Sequence, residues 1–369
     1  MPTAPDSPCY HLLMPSLHLR GQTPESLARA FPALGLPMAR RVVHRLIGED
    51  GDDLEDVRGL ARARAAEVLA GGSLARLEIV DRRRSRVDPF VKYVLRTPDG
   101  QLVETVRIPL DKPRWSVCVS SQVGCALGCR FCETGRMGFA RNLEAWEMVE
   151  QVLTVRRESP ERPLTGVVFQ GQGEPFHNYD NVIQAADVLR QPSGPRIGSD
   201  RITLSTVGLV PQIRRYTDEG HPYRLMLSLT SAFSEKRERL VPLTARYAVP
   251  ELVAAVRRHA EARGGPVHLA WVLISGFNTG EDEARELGRL FRGVPLRVSV
   301  IDVNDPTGAH ARAPDEERRR FLSALGASGI GFVRRYSGGA DIHAACGMLA
   351  SRTQGGEAHE PGAPSPGPA

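Results

Sequence analysis

The chain has few lysines, few cysteines and no long apolar run. Lysine occupies positions 92, 112 and 236, although 48 of the 369 residues are basic, so arginine carries nearly all of the positive charge. No apolar run approaches the roughly 20 residues that span a bilayer. The start of the chain lacks the basic stretch, apolar run and small-residue cleavage site of a signal peptide. These absences predict a cytoplasmic protein without membrane segments.

The positive balance of the chain, +5 with a sequence pI near 9.0, has two interpretations. Arginine forks pair with the phosphates of nucleic acids, so RNA is one expected partner. A genomic bias toward arginine, with the charges spread over solvated faces, explains the excess over lysine better. The run from Arg82 to Arg86, with four arginines in five residues, is a candidate phosphate contact.

Changes in composition and periodicity divide the chain into four predicted regions. Apolar side chains at three- and four-residue spacing predict short helices over 24–31, 38–47 and 54–69, and Thr23 is a good N-cap for the first. Two apolar runs around the Pro-Asp-Gly turn at 98–100 predict a β-hairpin. The regions are a helical accessory domain at 1–73, a β-hairpin linker at 74–110, a catalytic domain at 111–350 and a disordered tail at 351–369.

From residue 114 onward, strand-like and helix-like patterns alternate. This alternation predicts an α/β fold in which helices cover a parallel sheet, most economically a partial or full barrel. In parallel barrels the active site lies at the C-terminal ends of the strands. The six predicted strands span 115–119, 166–169, 201–205, 223–229, 267–274 and 296–303.

Three of the six cysteines, Cys125, Cys129 and Cys132, form a CxxxCxxC cluster on a Gly-rich turn after the first of these strands. Three thiolates this close can hold a cubic iron-sulfur cluster, which normally has four cysteine ligands, and leave its fourth iron open for a substrate. A structural zinc is the alternative, but such sites want four ligands and the nearest downstream histidine is His177. Three clustered cysteines cannot all pair as disulfides. The open iron-sulfur cluster is therefore the favoured prediction.

Polar or Gly-rich residues follow several of the other predicted strands. Singly, each is explained as a loop residue with satisfied hydrogen bonds. Their common position at one barrel mouth, together with the cysteines, predicts a ligand site. The residues concerned are Gly171 to Pro175 after the second strand, Ser205 and Thr206 after the third, Ser228 and Thr230 after the fourth, and Asn304 after the sixth.

The cysteine cluster, with Phe131 before its last cysteine, resembles that of the radical S-adenosylmethionine (SAM) superfamily. The longer run from Cys118 to Leu143, and the Ala-Ala-Cys-Gly motif that contains Cys346, resemble the narrower RlmN/Cfr family of RNA adenosine methyltransferases. The resemblance extends from about residue 20 to 350. It implies a radical SAM partial (β/α)6 barrel, with a small helical N-terminal domain and a β-hairpin linker.

The resemblance also implies cofactors and the residues that hold them. Cys125, Cys129 and Cys132 match the ligands of a [4Fe-4S] cluster whose open iron chelates the amino and carboxylate groups of SAM. The positions that match SAM contacts are Gly173, Glu174, Ser205, Leu229, Thr230, Ser231 and Asn304.

A cysteine pair outside the cluster matches the methyl-transfer residues of the family. Cys346 matches the cysteine that one SAM methylates. In the family, a second SAM then gives a 5′-deoxyadenosyl radical, which takes a hydrogen atom from the S-methyl group. The resulting carbon radical adds to a ring carbon of adenine. Cys118 matches the residue that then attacks Cys346 to form a transient disulfide. Glu104 matches the proposed proton acceptor of the family. A covalent carrier of this kind splits one difficult step into two. The alternative for both thiols is a buried, inert cysteine, and Cys9 matches nothing.

The chain departs from the family pattern at several positions. Thr230 stands where the family has histidine, Ala270 where relatives carry glutamate, and Ala340 where Asp is usual, and a Gly/Pro tail replaces a basic extension. These departures concern the substrate more than the chemistry.

The function that the resemblance implies is methylation of a ring carbon of an RNA adenosine, at C2 in 23S rRNA, with tRNA as a further substrate. The alternatives are C8 methylation, a radical SAM reaction on a non-RNA substrate, and a non-enzymatic RNA-binding protein with a structural metal. The expected state is a monomer that takes electrons from a low-potential donor such as flavodoxin.

Overall fold

The computed structural model of the protein describes residues 17–111 and 113–350, so Cys9 and the predicted tail at 351–369 lie outside the described residues. No helix in these two ranges is both long and apolar enough to cross a membrane. The strands are β1 (Leu17–His18), β2 (Gly72–Ser73), β3 (Glu78–Arg84), β4 (Val91–Arg96), β5 (Leu102–Pro109), β6 (Trp115–Val119), β7 (Gln122–Gly124), β8 (Phe139–Asn142), β9 (Leu164–Phe169), β10 (Ile202–Thr206), β11 (Arg224–Ser228), β12 (Val267–Leu273), β13 (Leu296–Asp302) and β14 (Gly331–Arg334).

Helices alternate with most of these strands. The α-helices are α1 (Pro24–Ala30), α2 (Gly35–Val43), α3 (Arg62–Ala70), α4 (Glu133–Arg136), α5 (Ala145–Glu158), α6 (Tyr179–Arg190), α7 (Val210–Glu219), α8 (Ser234–Glu238), α9 (Val249–Arg263), α10 (Glu281–Leu290) and α11 (Asp315–Ala327). A π-helical turn spans His44–Gly48, and short 3-10 helices span Leu19–Gly21, Pro32–Leu34, Pro175–Asn178, Ser199–Arg201, Pro242–Ala245 and Ala340–Ile342.

One open ten-stranded sheet organises the chain, in the order β14-β13-β12-β11-β10-β9-β6-β5-β4-β3. Neighbouring strands from β14 to β6 are parallel, and helices connect them, as expected for crossovers between parallel strands. The predicted α/β fold class is confirmed, with one strand more than predicted. That strand, β14, is short and exposed at all four residues, so it has no buried apolar run in the sequence.

Strands β5, β4 and β3 extend the same sheet with antiparallel pairing. The turn between β4 and β5 contains Gly100, whose φ of 84° lies in the left-handed region. The register between β5 and β6 places Val106 opposite Cys118. Because alternate residues of a strand share a face, Glu104 and Val106 lie on the same face of β5, next to the strand of Cys118.

The N-terminal helices pack on the outside of the parallel part. Thr23 and Ser26 form a capping box at the start of α1. The ring of His18 stacks on that of Trp146 in α5, with 3.8 Å between centroids. The predicted helix over 54–69 begins only at Arg62, because Gly59 adopts a φ of 83° that interrupts a right-handed helix.

Candidate active site

The three clustered cysteines lie on a tight loop between β7 and α4. The amide of Cys125 donates a 2.6 Å hydrogen bond to the carbonyl of Gly138, and the amide of Cys132 donates a 3.1 Å bond to the carbonyl of Cys129. Gly124 has a φ of 75°, and a side chain there would collide with the carbonyl of Gly138. The loop therefore folds as a closed turn in which Gly124 has no room for a side chain, whereas Gly128, with a φ of 61°, is required by its backbone conformation and not by crowding.

These cysteines line one cavity, which we call the cluster cavity. Burial raises the pKa of Cys125 to about 12, and the pKa values of Cys129 and Cys132 are also raised by burial. The free thiols therefore stay protonated at neutral pH, and a metal must displace the protons to bind.

The donor set fits the predicted iron-sulfur cluster. Three thiols at one end of a cavity supply three of the four ligands that a cubic cluster takes. No group of three histidine, cysteine, aspartate or glutamate side chains in the described ranges is placed to hold a single metal ion. In a cubic cluster each cysteine binds a different iron, so its ligands need not converge on one point.

Four of the predicted SAM positions line the cluster cavity with the cysteines: Gly173, Glu174, Ser205 and Asn304. The other three, Leu229, Thr230 and Ser231, are fully buried behind its wall, and Ser228 lines the cavity instead. The structure therefore brings these strand ends together at one mouth, but it turns the segment after Ser228 away from the cavity.

Thr230 has an unusual environment. Its φ of 64° is in the left-handed region, which is uncommon for a residue with a branched side chain. Its buried Oγ1 has no hydrogen-bond partner among the residues that the structure describes, whereas its carbonyl accepts a 2.6 Å bond from Asn278 Nδ2. The positive φ at this residue accompanies a tight turn, in which the amide of Ser231 donates a 2.8 Å bond to the carbonyl of Leu229.

Glu174 is the buried carboxylate of the cluster cavity. Its oxygens accept 3.0 Å hydrogen bonds from the amides of Phe176 and Val207, while burial raises its pKa. A carboxylate has about four acceptor sites, so it retains capacity for an ammonium donor. The preceding Gly173 has a φ of 96°, and a Cβ there would lie 2.6 Å from the side chain of Gln122.

Arg237 supports this wall, although it is not among the predicted site residues. The side chain is fully buried; Nε donates to the carbonyl of Leu229 at 2.9 Å, and Nη2 to the carbonyls of Ser228 and Val207. It thereby joins the ends of β10 and β11. No signal in the sequence identifies it, because it belongs to a short charged run typical of an exposed helix.

Cys118 and Cys346 meet at a second cavity, which we call the thiol cavity. Both residues line it, and Cys346 also lines the cluster cavity. The pKa of Cys118 is raised to about 12, mainly by burial and secondly by the neighbouring Cys346. The amide of Cys346 donates a 2.9 Å bond to Ser337 Oγ. Cys346 therefore stands where the two cavities adjoin.

Glu104 is placed differently from the other predicted reactive residues. It is fully buried and lines neither cavity. One carboxylate oxygen lies 2.8 Å from Lys92 Nζ, and the other accepts a 2.9 Å bond from the amide of Ala350. Its carboxylate is therefore covered by the chain that follows Cys346.

Two of the departures from the family pattern, at Ala270 and Ala340, lie close to Cys346 or to the chain that leads to it. Ala270 on β12 packs with Met226 and Ile301 against Cys346, so its small side chain forms part of the surface beneath that thiol. Ala340 precedes Asp341, whose carboxylate accepts bonds from Ser85 Oγ and the amide of Arg86 at 2.8 and 2.9 Å. The arginine run is thereby attached to the chain that leads to Cys346.

Comparison with known proteins shows the family. A model of the Radical SAM superfamily matches residues 119–288. A probable RNA methyltransferase of Anaeromyxobacter sp. (strain Fw109-5) is 50% identical over 92% of this chain and 100% of its own. The dual-specificity RNA methyltransferase RlmN of the same strain is 40% identical over 95% of each chain.

A solved structure gives the same result. The crystal structure of a radical SAM methyltransferase from Sphaerobacter thermophilus matches with a TM-score of 0.84 and 38% identity, over 91% of this chain and 100% of the other. Membership of the radical SAM superfamily implies a [4Fe-4S] cluster, as predicted from the cysteines, and SAM, as the resemblance implied. The chain belongs to the RlmN/Cfr family of radical SAM RNA methyltransferases.

Proposed function

We propose that this chain transfers a methyl group from SAM to a ring carbon of an RNA adenosine, with Cys346 as the carrier and Cys118 as the releasing thiol. One observation carries the proposal: Cys346 lines both the cluster cavity and the thiol cavity, and Cys118 lines the second. A sulfur at this position can accept a carbon from one side and deliver it on the other.

Each residue of the site has a distinct task in this proposal. The cluster and SAM, when bound, supply the methyl group and the radical chemistry. Glu174 and Gly173 bind the amino acid part of SAM, in the wall that Arg237 supports. Cys346 carries the carbon as a thioether. The Cys118 thiolate then attacks the Cys346 sulfur: the S–S bond forms as the S–C bond breaks, the electron pair of that bond leaves with the carbon on the adenine, and this carbon takes up a proton to become the methyl group. Glu104, the predicted proton acceptor, lines neither cavity in this structure, so its carboxylate reaches the ring carbon only if the chain at Ala350 moves aside.

Two residues at the rim of the thiol cavity, Tyr336 and Arg335, support the proposal that the substrate is RNA. Tyr336 lines the cavity yet exposes 68% of its surface, and Arg335 beside it lines the same cavity. The Tyr336 hydroxyl donates a 2.9 Å bond to Asp88, which orients the ring. RNA is commonly recognised through unpaired bases that stack on aromatic rings, with arginines nearby for phosphates. We assign Tyr336 to stacking on a base that flanks the target adenosine.

For the target we propose C2 of an adenosine in 23S rRNA, with tRNA as a further substrate, in the cytoplasm. Relatives named as dual-specificity RNA methyltransferases support an RNA substrate and more than one RNA target. The enzyme acts as a monomer and takes electrons from a donor such as flavodoxin.

C8 methylation, or a different adenosine, is the second candidate. The Anaeromyxobacter strain contains both an RlmN, 40% identical to this chain, and a probable RNA methyltransferase that is 50% identical. The greater similarity to the second protein favours a task distinct from that of RlmN. The surface beneath Cys346 is altered at Ala270, which is where a different presentation of the base would be accommodated.

Mass spectrometry of RNA nucleosides from cells with and without the gene tests the proposal. Loss of 2-methyladenosine on deletion is the expected result, and loss of 8-methyladenosine would support the second candidate. If the deletion strain lacks neither nucleoside, and purified enzyme with a reconstituted cluster leaves rRNA and tRNA fragments unmethylated, the proposal is wrong.

A further inference from the structure

Lys92 and Glu104 form an ion pair inside the protein. Their charged atoms are 2.8 Å apart, and the side chains are 2% and 0% exposed. Neither residue lines either cavity. Bringing two charges out of water is costly, and buried ion pairs are often replaceable by apolar residues without loss of stability. Stability alone is therefore a weak explanation for this pair.

Each member of the pair also bonds to the backbone around Cys346. Lys92 Nζ donates to the carbonyl of His343 at 3.2 Å, and the amide of Ala350 donates to Glu104 Oε2 at 2.9 Å. We call residues 343–350 the Cys346 segment. One bond lies near its start and the other at its end, with Cys346 between them. The pair thus holds both ends of the segment that carries the thiol.

We infer that Lys92 is a positioning residue: its pair with Glu104 clamps the Cys346 segment so that the Cys346 sulfur stays where the two cavities adjoin. This inference deepens the proposed function, on which the role of Cys346 as carrier rests. The sulfur has to face SAM in one half of the reaction and Cys118 in the other. A segment released at both ends would lose one of these approaches.

The clamp has a direct test in the full-length protein without RNA. The variants are Lys92→Met, Glu104→Gln and the double variant, and the rate of Cys346 modification by iodoacetamide is followed by mass spectrometry of its peptide. The yield of the Cys118–Cys346 disulfide under diamide is measured in parallel. Lys236→Met is the matched control, because Lys236 also pairs with a buried carboxylate, Glu283, at 3.3 Å and has no bond to the segment.

In Lys92→Met we expect iodoacetamide to modify Cys346 about tenfold faster than in the parent protein. We also expect a lower yield of the Cys118–Cys346 disulfide, because charge-assisted bonds at both ends of the segment are weakened. The double variant should resemble each single one, since the two residues act as one unit. Circular dichroism checks that the fold is retained; should Lys92→Met fail to fold, the Glu104→Gln variant, which keeps a neutral acceptor, serves for the same comparison.

Unchanged modification rates in the folded variants would overturn the inference, as would an equal acceleration in Lys236→Met. Because the measurements need no RNA and no turnover, the clamp and the proposed function fail separately. A normal clamp with no RNA methylation would contradict only the proposed function.

Discussion

The amide of Glu133 donates a 2.7 Å hydrogen bond to the carbonyl of Gly347, which joins the loop of the three cysteines to the residue after Cys346. A second bond of 2.7 Å runs from Thr134 Oγ1 to the carbonyl of Leu349. Gly347 has a φ of 87°, and a Cβ there would lie 3.1 Å from the carbonyl of Phe131. The position of Cys346 is therefore set by the same loop that carries the cluster ligands.

Removing the releasing thiol should trap the reaction. In Cys118→Ala, Cys346 still acquires the carbon, but no neighbouring thiol attacks its sulfur, so RNA stays attached to the protein. The adduct is expected as a slow band on denaturing gels and as an RNA-modified Cys346 peptide. The Cys118→Ala/Cys346→Ala double variant is the control and should give no adduct. Multiple turnovers by Cys118→Ala would contradict the assignment of Cys118.

Gly173→Ala should weaken SAM binding by at least about tenfold. A methyl group at this position meets the Gln122 side chain on the wall of the cluster cavity, in addition to the strain of about 1–2 kcal/mol for a left-handed alanine. Gly276→Ala is the matched control, because Gly276 has a φ of 65° with open space around its Cβ position.

Equilibrium dialysis with SAM and urea unfolding separate the two effects. Both variants should lose stability from the left-handed strain, Gly173→Ala the more because its methyl group also meets Gln122, and only Gly173→Ala should lose SAM affinity. Equal SAM affinity in the two variants would show that Gly173 does not shape the SAM site.

Reaction of Cys118 should increase steeply with pH. Its pKa is raised from 9.0 to about 12, first by burial and then by Cys346, so the reactive thiolate fraction grows about tenfold per pH unit up to that value. The thiolate fraction of an ordinary thiol stops increasing above about pH 9. The unfolded chain loses this proton near pH 9 and the folded one near 12, so the associated stability is present below 9 and is lost between these values.

Alkylation of Cys118 from pH 7 to 10, followed by peptide mass spectrometry, checks the expected slope. Cys346→Ser is the comparison, and its curve should shift to lower pH because one cause of the raised pKa is removed. A plateau near pH 9 in the unmodified protein would contradict the buried state of Cys118.

Tyr336→Ala should weaken RNA binding, whereas Tyr336→Phe should bind nearly as well as the parent. Stacking of a base on an aromatic ring is worth about 1–3 kcal/mol, and phenylalanine keeps the ring while removing the bond to Asp88. Fluorescence anisotropy with an rRNA fragment gives the affinities. Equal losses in the two variants would assign Tyr336 to holding Asp88 instead of stacking.

Much of the parallel sheet was predictable because its strands are buried apolar runs. The predicted strand 115–119 has the same bounds as β6, and β12 ends at Leu273, one residue before the predicted end. Strand β14 was missed because an exposed edge strand shows no such run. The helix predicted from residue 54 was too long because one glycine with a positive φ outweighs a suitable apolar spacing.

The candidate site was predictable as a set of strand ends but not as a surface. Motif spacing identifies Cys125, Cys129 and Cys132, and these line the cluster cavity. Leu229, Thr230 and Ser231 lie outside the cavity lining, in a tight turn with a positive φ at Thr230 that the sequence does not reveal. The surroundings of the Glu104 carboxylate likewise depend on Ala350, and that contact joins residues 246 positions apart.

The antiparallel strands have a consequence for the smallest working fragment. A fragment that starts at residue 111 would leave β6, the strand of Cys118, as an open edge of the sheet. It would also lack Lys92 and Glu104, and with them two attachments of the chain around Cys346. A working fragment is therefore expected to begin upstream of residue 111, at β3, so that it keeps all three antiparallel strands.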